Sequence, residues 1–132
     1  MLYIEHLHQI GNCYSKGDFT SLFDALAEDC TWESDWRTDK ENGKEEICTY
    51  YRYKERVLQR CDLFPTYTLV ELYGSPDSVL GCGIYLKQII GKQISDLILL
   101  IHVATDGKIT HIHLCMKELF RFRNYDINQS RY

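Results

Sequence analysis

Three histidines in the second half of the chain have the residue type and spacing for chemistry. His102 precedes the turn sequence ATDGK, and His111 and His113 follow it. Imidazole is a general acid or base near neutral pH and a common ligand of divalent metals. Which chemistry is available depends on which of the three side chains share a face of the sheet, and two turn geometries give different answers.

In the first geometry, Asp106 and Gly107 form a two-residue turn. His102 then lies directly opposite His111, and His113 lies beside it on the same face. Three imidazoles on one face could bind zinc or another divalent ion.

In the second geometry, the loop has three residues and Gly107 occupies the left-handed bulge position. His102 then shares a face with Ile112 and Leu114, and the other two histidines point the opposite way. In this register His102 is separated from the others and becomes a candidate acid or base on its own.

The segment CTWESDW carries both tryptophans of the chain together with two carboxylates. Side chains of a β-strand alternate between its faces, so Trp32, Ser34 and Trp36 share one face. Glu33 and Asp35 fall on the other face. The alternation therefore separates an aromatic face around a serine from a face that carries the two carboxylates.

Bulk composition limits the remaining possibilities. The 132 residues, of which 45% are hydrophobic and 26% charged, indicate one globular domain over residues 1–132. A net charge of −4 without a basic block argues against a nucleic-acid partner. The longest apolar run, LILLI, is too short to cross a bilayer, and MLYIEHLHQI is not a secretion signal, so we expect a cytoplasmic protein. The six cysteines lack metal-ligand spacing and are expected to be reduced thiols.

The order of periodic segments indicates an α+β domain. Apolar residues recur at helical spacing from Tyr3 to Tyr14, again from Phe19, and in a third segment over residues 44–60. After Pro65, four segments rich in β-branched, aromatic and leucine residues alternate with short turns, which predicts an antiparallel meander. Helices first and sheet second favour α+β over α/β.

Three motifs resemble the nuclear-transport-factor-two-like superfamily, which includes SnoaL-like and ketosteroid-isomerase-like proteins. They are YSKGDFTSLFDALAEDCTWES, GKEEICTYY and DGKITHIHLCMKE, and the resemblance covers roughly residues 3–118. It implies an α+β cone, or cystatin-like roll, in which three N-terminal helices pack on a strongly curved antiparallel meander sheet. Residues 119–132 would form a C-terminal arm, and the outer sheet face would form a homodimer contact.

The resemblance also implies a cavity inside the cone. It points the tryptophan face of CTWESDW at this cavity and directs Glu33 and Asp35 outward. The superfamily's cavity positions on the last strand fall on Ile112 and Leu114, which favours the second register and makes His102 the candidate catalytic acid or base. The expected ligand-binding residues are Trp32, Ser34, Trp36, Tyr50, Tyr51, Ile112 and Leu114. The positions of the ketosteroid-isomerase base, oxyanion tyrosine and second acid fall on Ser34, Ile10 and Leu100, which cannot perform those roles.

These observations predict a small-molecule pocket protein of the SnoaL-like group that takes a flat apolar or aromatic ligand. One alternative is a lyase or isomerase in which His102 and a tyrosine act as acid and base. The other is a non-catalytic dimerisation or interaction module whose cone is filled by side chains. We predict no cofactor and no metal, and whether the protein is an enzyme stays open.

Overall fold

Three α-helices and seven strands make up the part of the fold that the structure describes. The structure is a computed structural model that describes residues 3–61, 63–73, 81–90 and 92–125. The helices are α1 (Tyr3–Lys16), α2 (Thr20–Phe23) and α3 (Lys44–Gln59). The strands are β1 (Leu26–Ser34), β2 (Glu41–Asn42), β3 (Thr66–Tyr73), β4 (Gly81–Ile90), β5 (Gln93–Val103), β6 (Ile109–Cys115) and β7 (Arg121–Asn124). A short 3-10 helix (Lys117–Leu119) precedes β7.

All seven strands form one sheet in the order β2-β1-β6-β5-β4-β3-β7. Strands β3 to β6 pair antiparallel in sequence order, so the predicted four-strand meander is confirmed. Strand β1 pairs parallel with β6, which makes the sheet mixed. The helices pack on one face of this sheet, as expected for an α+β cone.

Helix α1 buries the apolar stripe that its sequence period predicts. Leu7, Ile10 and Tyr14 are all buried against the sheet. Gly17 follows the helix with φ of 68°, a left-handed conformation that favours glycine and ends the helix. The backbone N–H of Thr20 then donates to the carboxylate of Asp18, which fixes the entry into α2.

Helix α3 starts at a glycine that ties it to the sheet. Gly43 has φ of 92°, and its N–H donates to the carbonyl of Cys30 in β1 at 2.8 Å. Ile47, Tyr51 and Leu58 form the buried face of the helix. This tie places the middle of α3 over the inward side chains of β1.

Helix α1 and strand β3 approach each other closely at one glycine. A Cβ atom added at Gly11 would lie under 3.0 Å from three ring atoms of Tyr67. The Tyr67 hydroxyl donates to Oδ1 of Asn12 at 3.3 Å and lies 3.1 Å from Nδ1 of His8. The tyrosine ring therefore lies flat beneath the helix, in space that any side chain at position 11 would take.

The turn between β5 and β6 has the three-residue form. The N–H of Ala104 donates to the carbonyl of Lys108, and Gly107 has φ of 84°. The carboxylate of Asp106 accepts the N–H of Lys108. Nε2 of His6 in α1 lies 2.7 Å from the Gly107 carbonyl oxygen, so the first helix holds this turn in place.

Immediately after the turn, β6 carries one extra residue. Val103 pairs with Ile109, yet its neighbour His102 pairs with His111 rather than with Thr110. Thr110 is the bulged residue, and its hydroxyl donates to the carbonyl of His102 at 3.3 Å. Because a shift of one residue reverses the facing of a strand, the bulge turns His102 and His111 to the same side.

The end of the described chain folds back on the outer face of the sheet. Strand β7 pairs with β3, and Phe120 and Phe122 pack on a second cluster of buried residues: Val70, Leu72 and Ile98. This part of the predicted arm is therefore ordered as a strand. The remaining arm residues, 126–132, lie outside the described residues, as do residues 74–80 between β3 and β4.

Candidate functional site

Aromatic side chains fill the middle of the cone. Trp32 is 1% exposed, and Phe19 and Tyr51 are fully buried. The ring centroids of Phe19 and Tyr51 lie 4.4 Å apart in a stacked arrangement, and those of Trp32 and Tyr50 lie 4.3 Å apart. Among the described residues, this packing leaves no space of aromatic size where the flat ligand was expected.

Two tyrosine hydroxyls meet inside this aromatic cluster. The hydroxyls of Tyr14 and Tyr51 lie 3.2 Å apart and are buried. Burial raises the pKa of both groups above the ordinary tyrosine value, and the electrostatic interaction of each with Tyr50 adds to the effect. The pair is therefore neutral at physiological pH and acts as a hydrogen-bonded crosslink between α1 and α3.

We expect Tyr14→Phe and Tyr51→Phe each to lower the unfolding free energy by about 1–3 kcal/mol, because each leaves the other hydroxyl buried without its partner. The double replacement is expected to cost less than either single one, since both polar groups are then removed. Urea denaturation of the four proteins measures the cycle, with Tyr53→Phe on the exposed side of α3 as control. Additive losses would contradict the coupling.

The predicted ligand-binding residues divide into three groups. Trp32, Tyr51 and Ile112 are core residues, as their burial shows. Ser34 and Leu114 face the same side near the end of β1 and β6. Trp36 is 54% exposed because β1 ends at Ser34, whose hydroxyl accepts the N–H of Trp36 in a turn. The expectation that Trp36 lines the cone is therefore wrong.

His102 does not enter the cone. It is exposed on the outer face of β5, while its neighbours Ile101 and Val103 face the core. The predicted three-residue turn is present, but the bulge at Thr110 cancels its effect on the facing of β6. The prediction that His102 faces the cavity is wrong for this reason, so His102 cannot act as an acid or base inside the cone.

The outer face instead gathers a polar cluster on β1 and β6, which we call the outer histidine cluster: Thr31, Glu33, Asp35, His111 and His113. Nε2 of His111 lies 2.9 Å from Oε1 of Glu33, and Nδ1 of His113 lies 3.8 Å from the same oxygen. Nε2 of His113 lies 2.8 Å from Oδ1 of Asp35. Nδ1 of His111 lies 2.5 Å from Oγ1 of Thr31. The predicted outward facing of Glu33 and Asp35 is confirmed.

Two groups of this cluster have shifted pKa values. Partial burial lowers the pKa of His111 from its usual value, although its hydrogen bond with Glu33 opposes the shift. Partial burial by itself would raise the pKa of Glu33, but the charge of His113 and hydrogen bonds from His111 and Lys40 outweigh it and lower the pKa. Both shifts favour an ionised glutamate beside a neutral imidazole near neutral pH.

A small cavity of about 90 Å³ lies between the helices and the inner face of the meander. We call it the Lys54 cavity; residues that line it include Tyr14, Lys54, Leu86, Gln88, Ser95, Leu97 and Leu114. Burial lowers the pKa of the Lys54 amine from its usual value. Lys54 makes no hydrogen bond or ion pair with any residue that the structure describes. An amine in this environment is poised to bind or exchange a proton with a ligand.

The sequence alone does not mark Lys54 as a site, because the helical period places it on the apolar stripe of α3, where its methylene groups can pack. The available signal was its position, since it follows Tyr50 by four residues and Tyr51 by three on the same helix face. A charged residue within a buried stripe is uncommon and often marks a site.

A wider groove of about 800 Å³ lies outside the cone, between β2 and the start of α3. Its charged residues are largely paired with each other: Arg37 binds Asp39 and Glu41, and Lys44 lies 3.9 Å from Glu28. The Arg37 guanidinium also lies over the rings of Trp32 and Tyr50. Tyr50, predicted as a ligand contact, is thus shared between this groove and the aromatic core.

A curved mixed sheet wrapped around three helices defines the α+β cone. Solved structures with this architecture include a nuclear-transport-factor-two-like protein of unknown function from Cytophaga hutchinsonii, which is 13% identical with a TM-score of 0.58 over 92% of this chain and 91% of that one. A putative polyketide cyclase from Sinorhizobium meliloti is 15% identical, with a TM-score of 0.57 over 83% and 93% of the two chains. SalBIII, an epoxide hydrolase/cyclase-like enzyme of pyran ring formation in salinomycin, is 11% identical with a TM-score of 0.60 over 93% and 95%.

These similarities confirm the predicted nuclear-transport-factor-two-like fold. At such low identity they establish the fold and carry no activity to this chain. No protein-family model matches the sequence, and no curated protein matches it. Within the described residues, no helix has the length and apolar character needed to cross a membrane.

Proposed function

We propose that the protein binds a small carboxylate-bearing molecule in the Lys54 cavity. The observation that carries this proposal is the half-buried Lys54 amine, which lines the Lys54 cavity. Among the described residues it has no hydrogen bond or ion pair, and only the Cys61 thiol interacts with it electrostatically. Desolvation without a partner is unfavourable for an ammonium group, and a bound anion would compensate it.

The cavity also sets the size and chemistry of the ligand. A volume of 90 Å³ corresponds to the space of about three water molecules, far below the roughly 300 Å³ of pockets for drug-sized ligands. Leu86, Leu97 and Leu114 offer an apolar wall, while Gln88 and Ser95 offer polar groups at its border. These features favour a short-chain acid over the aromatic ligand expected from the sequence.

Propanoate and its neutral amide propanamide provide a matched pair of probes with similar shape. In ligand-observed NMR we expect saturation transfer from the protein to propanoate, a weaker signal with propanamide, and loss of the propanoate signal in Lys54→Met. Because so small a ligand has a limited binding energy, the expected affinity is in the millimolar range. Equal propanoate signals for the wild type and Lys54→Met would overturn the proposal.

Two controls separate binding from general effects. Lys16→Met removes the same charge from an exposed position at the end of α1 and should leave propanoate binding unchanged. Lys54→Met should not lower the unfolding free energy, because it replaces a desolvated amine with an apolar side chain of similar length.

Propanoate affinity should also fall as the pH rises through the lowered pKa of Lys54, because the bound anion requires the protonated amine.

A non-catalytic interaction module is the second candidate. It is favoured by the filled aromatic interior around Trp32, Tyr51 and Phe19, which leaves little room for a substrate. A chain that binds neither probe and has a fully packed core would fit this alternative.

The homodimer and the cytoplasmic location stay predictions. Phe120 and Phe122 cover part of the outer sheet face with the chain's own residues. A second copy on that face would therefore meet mainly the polar side that carries the outer histidine cluster.

A further inference from the structure

We infer that the outer histidine cluster is a binding site for a divalent transition metal, with Glu33, His111 and His113 as its protein ligands. The site lies on the outer face of the sheet, away from the Lys54 cavity, and is independent of the proposed small-molecule function. Two imidazoles and one carboxylate are a ligand set that zinc accepts, with a further position open to water.

Ligand atoms of the three side chains lie within 4.8 Å of one another. Oε1 of Glu33 is 2.9 Å from Nε2 of His111 and 3.8 Å from Nδ1 of His113. Zinc binds nitrogen and oxygen at about 2.0–2.2 Å, so ligand atoms of a tetrahedral site lie about 3.3–3.6 Å apart. The two separations from Oε1 of Glu33 bracket this value.

In each of the two histidines, the ring nitrogen that does not bind the metal already has a hydrogen-bond partner. Nδ1 of His111 contacts the hydroxyl of Thr31, and Nε2 of His113 contacts the carboxylate of Asp35. Asp35 is fixed in turn, because its second oxygen accepts the N–H of Met116 at 2.9 Å. Metal-binding histidines characteristically have such a partner on the other ring nitrogen, which orients the ring and fixes the tautomer.

The backbone places these side chains on neighbouring strands. In the parallel pairing of β1 with β6, Glu33 is level with His113 and Thr31 is level with His111. Ligands on paired strands lose little conformational freedom on binding, because the sheet has already positioned their backbones. Lys40 contacts the other glutamate oxygen, Oε2, at 3.3 Å, so it leaves Oε1 available to the metal.

A second set, Asp35, His113 and Cys115, also has ligand atoms close together. We place the metal at the Glu33 set because the Asp35 set depends on the thiol of Cys115. Cys115 is buried, and its thiol is directed at the carbonyl of His113 at 3.8 Å.

Calorimetric titration of Zn²⁺ into the full-length, chelator-treated protein tests the site. We expect one zinc per chain, and we expect Glu33→Gln and His111→Ala each to weaken binding by more than the roughly 10- to 100-fold typical of outer-shell changes. Asp35→Asn changes the partner of His113 without removing a proposed ligand, and its effect should fall within that range. His8→Ala removes an exposed histidine from α1 and should bind zinc as the wild type does.

Cobalt(II) substitution identifies the ligand set independently of any variant. Visible absorption without a sulfur-to-cobalt charge-transfer band supports the nitrogen and oxygen ligands. Such a band, lost in Cys115→Ser and kept in Glu33→Gln, would overturn the assignment, as would unchanged zinc affinity in Glu33→Gln and His111→Ala. Circular dichroism of each variant confirms that a loss of binding does not reflect unfolding.

Discussion

Trp32→Ala is expected to lower the unfolding free energy by about 3–5 kcal/mol, while Trp36→Ala, four residues further on, changes it by less than about 0.5 kcal/mol. Trp32 is buried against Tyr50 and beneath the Arg37 guanidinium, so its removal leaves a cavity that rigid neighbours cannot fill. Trp36 is 54% exposed and loses few contacts. Urea denaturation followed by circular dichroism measures both variants.

Each variant retains one tryptophan, so its fluorescence shows whether the remaining indole is buried or exposed. Trp36→Ala should emit at shorter wavelength than Trp32→Ala, since its remaining indole is the buried one. Indole added to Trp32→Ala should restore part of the lost stability by filling the apolar cavity. Similar losses of stability for the two variants would contradict the described packing of the cone.

Gly11→Ala is expected to lower the unfolding free energy by about 2–3 kcal/mol, although alanine favours a helix over glycine by about 1 kcal/mol. The new methyl group would lie under 3.0 Å from the base of the Tyr67 ring, which cannot move without shifting β3. Overpacking against a fixed neighbour outweighs the gain in helix propensity. Urea denaturation of the two proteins gives the difference.

Removing the ring should reverse the sign of this effect. In a Tyr67→Ala background, Gly11→Ala is expected to raise the unfolding free energy by up to about 1 kcal/mol, because only helix propensity then remains. This double-mutant cycle isolates the contact between α1 and β3 from other consequences of either replacement. A destabilising Gly11→Ala in both backgrounds would show that the close approach is not the cause.

The sequence was sufficient for the architecture because local signals agreed with each other. Helical periodicity predicted α1 and α3, with α3 beginning at Lys44 as observed. Strand alternation placed Trp32 and Ser34 on one face and Glu33 and Asp35 on the other, and the resemblance to the superfamily directed the tryptophan face inward. Helical and strand periodicity depend on residue order alone, and such patterns are the strongest signals that a sequence carries.

The candidate site was harder to predict because it depends on where local patterns stop. Trp36 follows the alternation, but β1 ends two residues earlier, and nothing in the alternation marks that end. The turn around Gly107 was predicted in the form that the structure has, yet one bulged residue, Thr110, reversed the facing of His102. Bulges leave little trace in a single sequence, because a threonine there looks like any strand residue.

The placement of β7 has a consequence for the behaviour of the protein at high concentration. An outermost strand exposes backbone groups that can recruit a strand from another chain, which is a common start of aggregation. In the part of the chain that the structure describes, the sheet ends in β2, with two residues, and β7, with four. Strand β7 pairs with Val70–Tyr73 of the eight-residue β3 and so occupies the backbone groups at this end of its edge. The C-terminal return of the chain thus shortens the template available for intermolecular strand addition.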